Sequence, residues 1–193
     1  MNLLFNHSKY AERIFFGGFT ESGINAIKMT EEDPETVGLF LLYIQQGELR
    51  VSEYCSKAPI ATRPTQESHE NYVKAFFLLC NLYILIDKLV CQYWEQMSAE
   101  IRAELQDVLL RAEGYYQDRS IITPETILRV YHNTSEDSKL RTLITEHFCM
   151  ALARINDHSS ILEGYAQCMA EFPKEFGLEI IKRLILGYRW EEY

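Results

Sequence analysis

Residues 6–47 read NHSKYAERIFFGGFTESGINAIKMTEEDPETVGLFLLYIQQG, and the rest of the chain is interpreted outward from them. The pattern predicts a helix over 8–16 with Tyr10, Ile14 and Phe15 inward. A tight turn at Gly17-Gly18 follows, where the backbone can enter conformations closed to residues with a Cβ. Ile24, Ala26 and Lys28 interleave with Asn25, Ile27 and Met29 in a short run read as a half-buried strand. An acidic loop leads to Asp33-Pro34. Asp33 can accept from the free amides of a helix start, and Pro34 suits the first helical position, which needs no N–H donor. Val37, Phe40, Leu41 and Ile44 are then expected on one buried face, with Gly47 ending the helix.

Downstream, residues 52–68 carry Pro59, Pro64 and several Ser and Thr with little periodicity, and read as an exposed inserted loop. Residues 67–87 are expected to form a long helix. Tyr72, Phe76, Leu79, Tyr83 and Ile86 mark one face, and Phe77, Leu82 and Leu85 widen it, so burial on most sides follows. After a short break, a further helix over 89–113 buries Trp94, Met97, Ile101, Leu105, Val108 and Leu109. It turns Arg102, Glu104 and Asp107 to solvent and stops at Gly114. Thr123-Pro124-Glu125 repeats the cap-then-proline start, with Ile127, Val130 and Tyr131 inward. Residues 138–155 follow with Leu140, Leu143, Ile144, His147, Phe148, Ala151 and Leu152 on one face. Shorter helices over 160–171 and 176–186 close the chain.

Composition narrows the function classes. The chain has 193 residues, 47% of them hydrophobic and 12% aromatic, enough for a packed core. The net charge is −9, with no run of basic residues, which argues against a nucleic-acid backbone or an anionic membrane as the main partner. The longest apolar run, 75–86, falls short of the about 20 residues that cross a bilayer. The five cysteines, Cys55, Cys80, Cys91, Cys149 and Cys168, are odd in number and lack Cys-x-x-Cys spacing. They read as buried reduced thiols of a cytoplasmic or nuclear protein.

Residue types that carry chemistry do not assemble into a recognisable site. His7, His69, His132, His147 and His158 lack metal-ligand spacing with one another or with cysteine. Gly17, Gly18 and Gly23 lack the Lys-Ser/Thr of a phosphate loop. Glu31, Glu32, Asp33 and Glu35 lack the alternation of a calcium loop, and carboxylates are in any case favoured at a helix N-terminus. The sequence therefore predicts no enzyme, no metal and no cofactor.

Certain pieces, in order, resemble the BTB/POZ domain, particularly the BTB proteins of filamentous fungi. They are Gly17-Gly18-Phe19-Thr20-Glu21-Ser22, the junction Ile27-Lys28-Met29 to Glu32-Asp33-Pro34-Glu35, the helix end Leu42-Tyr43-Ile44 to Gly47, and Leu82-Tyr83-Ile84-Leu85-Ile86-Asp87-Lys88-Leu89. A weaker echo runs from Thr123 to Arg141. The resemblance implies a protein–protein interaction module, and more finely a substrate adaptor for a cullin-based ubiquitin ligase. Cullin-binding members carry a hydrophobic residue, any residue, then Glu, here Phe19-Thr20-Glu21, and Tyr43 lies in the helix end that completes that face. The resemblance thus names Phe19, Glu21 and Tyr43 as partner-binding. Two departures stand beside it. Gln45 replaces a family aromatic at the helix end. The family's N-terminal β-hairpin and Val-His-Lys segment have no counterpart here, so the usual BTB homodimer is not carried over.

The expected fold is mainly α. It comprises a helical BTB/POZ-like core over 1–113, N-terminally incomplete and with one or two short strands, and a C-terminal helical extension over 114–193. An oligomerisation or scaffold module without cullin binding, or a truncated non-functional remnant, is the alternative reading of the same residues.

Overall fold

The computed structural model describes residues 32–47, 49, 51, 66–89, 91, 93–115, 120–154 and 172–185. Among them the chain is mainly α. The helices are α1 (Pro34–Gln46), α2 (Gln66–Lys88), α3 (Trp94–Tyr115), α4 (Pro124–Asn133), α5 (Lys139–Arg154) and α6 (Lys174–Ile185). The helix expected over 8–16, the Gly17-Gly18 turn, the strand over 24–29 and the helix over 160–171 lie outside the described residues, as do Cys55 and Cys168. The chain divides into two compact units, Met1–Arg111 and Ala112–Tyr193.

In the first unit, α1 starts and stops where its local chemistry directs. The Asp33 carboxylate accepts from the Thr36 amide at 2.8 Å and from the Thr36 hydroxyl at 2.9 Å. Pro34 opens the helix. Gly47 closes it at φ 73°, its amide donating to the Tyr43 carbonyl at 2.8 Å. This left-handed backbone favours glycine, because a Cβ there strains against its own carbonyl. The buried face, however, is Thr36, Leu39, Phe40 and Tyr43, whereas Leu41 is 47% exposed and Val37 and Ile44 are half-buried. Residues 39–44 are all apolar or aromatic, so periodicity alone does not fix a face. Thr36 and Tyr43 sit one turn beyond each end of the Leu39-Phe40 pair, and the polar atoms of both are satisfied when that side faces inward.

Helix α2 packs on α1. Leu78 to Ile86 are buried without a break, Asn81 included, so this helix is the centre of the unit's core. Its start at Gln66 places 66–68 in the helix and ends the expected loop early. Leu89 to Tyr93 separate it from α3, whose Met97, Ile101, Leu105, Val108 and Leu109 are buried as expected. Trp94 is half-buried and meets the Tyr83 ring edge-on at 6.1 Å. Arg102, Glu104 and Asp107 are also half-buried, not fully solvated. Helix α3 runs through Gly114 to Tyr115. One isolated glycine in a last turn costs only about 1 kcal/mol relative to alanine, too little to stop a helix whose other face is packed.

In the second unit, Thr123 caps α4 by accepting from the Thr126 amide at 3.2 Å, with Pro124 at the first helical position. Helix α5 packs on both α4 and α6. Ile127, Val130, Leu140, Ile144, Phe148 and Phe176 are at most 2% exposed. Phe148, Phe172 and Phe176 meet edge-to-face, with centroids 5.1–6.2 Å apart, and the Tyr131 ring joins Phe176 at 5.4 Å. Such edge contacts match the positive rim of one ring to the negative face of another. Among the described residues, no helix is long and apolar enough to cross a membrane.

Candidate functional site

Of the residues assigned to partner binding, Phe19 and Glu21 lie outside the described residues. Tyr43 is described and is 7% exposed. Its hydroxyl donates to Glu100 Oε2 on α3 at 2.5 Å, and Glu100 Oε1 accepts from the Gln96 side chain at 2.9 Å. Burial pushes the Tyr43 phenol well above its ordinary value, and the hydrogen bond to Glu100 and that carboxylate's charge push the same way. The ring therefore links the end of α1 to α3. The groups that this end offers outward are Leu41, Gln45 and Gln46, all exposed.

The start of α1 is tied down by charge. Lys88 at the end of α2 reaches Glu32 at 2.8 Å, and Lys74 reaches Glu35 at 2.8 Å. The Lys74–Glu35 pair is largely solvated, where such contacts add well under about 1 kcal/mol. The Glu32 side chain is only 9% exposed, so its pairing with Lys88 matters more. Of the acidic cluster expected to carry helix-end charge, Glu32 and Glu35 each meet a lysine of α2, and Asp33 caps the helix.

The second unit holds a polar cluster that no sequence motif marks. The Tyr131 hydroxyl donates to Glu179 Oε2 at 2.7 Å, and the fully buried Thr145 hydroxyl lies 3.0 Å from both Tyr131 Oη and Glu179 Oε2. Burial raises the Tyr131 phenol above its ordinary range. Arg141, 7% exposed, stacks over the Tyr131 ring with its guanidinium 4.5 Å from the centroid. It donates to the Tyr131 carbonyl at 2.7 Å, to the Thr134 carbonyl, and through Nε to the Thr134 hydroxyl at 3.1 Å.

The local reason is that α4 ends at Thr134 in extended backbone, with no glycine to fold the chain back on its last carbonyls. Arg141 supplies the missing donors and a cation at the negative end of the helix. The Thr134 hydroxyl donates to the Val130 carbonyl at 2.7 Å and the Asn133 side-chain amide, through Nδ2, to the Arg129 carbonyl at 2.8 Å, completing the cap. A sequence signal existed: Arg141 and Thr145 stand among Leu140, Leu143 and Ile144 on an apolar helix, and Glu179 between Phe176 and Ile180.

Among the described residues, the thiols Cys80, Cys91 and Cys149 are buried, as expected of them, and free. Burial raises all of them, Cys91 to about 12, which keeps them protonated and unreactive. Set against family models, curated proteins and solved structures, the chain finds no match.

Proposed function

We propose that the chain is a protein–protein interaction module of the BTB/POZ type whose partner face is built around Phe19, Glu21 and the end of α1. Within that reading it is a substrate adaptor for a cullin-based ubiquitin ligase. The observation that supports the reading most is the agreement of local chemistry with the resembling pieces. The Glu32-to-Glu35 junction is a capped helix start, Gly47 is a left-handed helix stop, and Leu82–Ile86 is a buried stretch of α2, the helix that packs on α1. An apolar knob at Phe19 beside an orienting carboxylate at Glu21 has the composition of a binding hot spot.

A scaffold role without cullin contact is the second reading. It is favoured by the burial of Tyr43, together with the exposed Gln45 where the family has an aromatic. Calorimetric titration of the folded chain with the N-terminal domain of a BTB-binding cullin separates the two. The adaptor role requires micromolar binding that Glu21→Lys weakens at least about tenfold, or about 1.4 kcal/mol. A chain that is folded by circular dichroism yet gives no heat excludes the adaptor role and leaves the scaffold.

A further inference from the structure

Helix α6 has two apolar faces. The inner one holds Phe176 and Ile180, at most 4% exposed, and is flanked by Glu179, bonded to Tyr131 and Thr145, and by Arg183, 2.9 Å from Glu146. This face docks α6 on α5. On the other side Leu178, Ile181 and Ile185 are 57%, 48% and 75% exposed. Their i, i+3, i+7 spacing gathers them into one stripe. Lys174 extends the stripe by one turn toward the N-terminus, and its aliphatic stem can cover apolar surface while its ammonium stays wet. Exposed apolar side chains are ordinary when scattered, but this stripe is contiguous along a helix, and such surface marks an interaction site.

The flank of the stripe identifies the partner. Glu175 and Lys182 are both exposed and lie two turns apart along the same edge of it. An acid and a base on one edge are self-complementary only if a second identical helix runs the opposite way. A two-fold axis then sets Glu175 of each copy near Lys182 of the other, forming the pair twice. The same axis stacks Leu178 against the partner's Ile181, and Ile185 against the stem of the partner's Lys174. This alternation of core layers is that of antiparallel coiled helices. A parallel pairing brings like positions to one height and forms neither ion pair. We propose that α6 is a self-association surface through which two copies of this chain pair antiparallel. The inference is independent of the adaptor reading. If both hold, each assembly carries two copies of the partner face, and binding to a multivalent target gains by avidity.

The stripe is small beside the roughly 800 Å2 per partner that stable dimers bury, so the pair is expected to be weak and concentration-dependent. Sedimentation equilibrium of the full chain from about 5 to about 500 µM reads it directly. A reversible monomer–dimer equilibrium is expected. Ile181→Glu, at an exposed position, should weaken it at least about tenfold without changing the circular dichroism or melting of the monomer. Glu175→Lys alone and Lys182→Glu alone should each weaken it, and the double swap should restore it, because exchanging both charges leaves the edge self-complementary. A monomer throughout the range overturns the proposal. So does a dimer indifferent to Ile181→Glu, or one that the double swap fails to restore.

Discussion

Arg141 illustrates how one side chain can decide the end of an element. It carries the free carbonyls at the end of α4, covers the Tyr131 ring, and is itself almost fully buried. Arg141→Met keeps much of the side-chain volume but leaves the Tyr131 and Thr134 carbonyls without their donor. Unpaired buried acceptors and lost charge-assisted hydrogen bonds predict a loss of about 2–4 kcal/mol. Arg141→Lys should recover only part of it, since one ammonium cannot reproduce the planar fork that reaches two carbonyls and a hydroxyl. Urea unfolding followed by fluorescence checks this. A midpoint for Arg141→Met equal to wild type would show that the cap is incidental.

At the scale of elements, the starts of α1 and α4 and the stop of α1 were legible because their causes are local. Asp33-Pro34 and Thr123-Pro124 each cap within a few residues, and Gly47 needs only its own backbone. The buried side of α1 was not legible, because its apolar residues continue almost all the way round. The choice rests on a hydroxyl bonded to Asp33 and a phenol bonded to Glu100, the latter 57 residues away. The Tyr131–Glu179 contact spans 48 residues and was hidden for the same reason.

Burial in α1, α2 and the segment after it has a consequence for pH. Cys80, Cys91 and Tyr43 are held protonated above their ordinary values of 9.0 for the thiols and 10.0 for the phenol. Above about pH 9 the unfolded chain releases protons that the folded chain keeps. The unfolded state then binds fewer protons, so stability falls as pH rises. The contribution is complete below pH 9 and is lost progressively toward the folded Cys91 value of about 12. Thermal melting should therefore be level to about pH 8 and fall from about pH 9 upward, with Cys91→Ala flattening the early part of the decline. A melting temperature unchanged to about pH 11 would contradict the burial of these groups.

At the scale of the whole molecule, a mainly helical chain in two compact units was foreshadowed in its class by helical periodicity and by sparse glycine and proline outside the loops. What it binds is a separate matter, because fold does not fix function. The proposed adaptor role places the contact at 17–22 and the last turn of α1, with Tyr43 and Glu100 holding that turn in place from behind. Self-association, in contrast, uses α6 alone. Amide hydrogen exchange of the full chain, with and without the cullin N-terminal domain, tests the central claim most directly. The account predicts slowed exchange confined to 17–22 and 41–47, with 174–185 unaffected. Unchanged exchange at saturating cullin, or protection that spares 17–22, would contradict it.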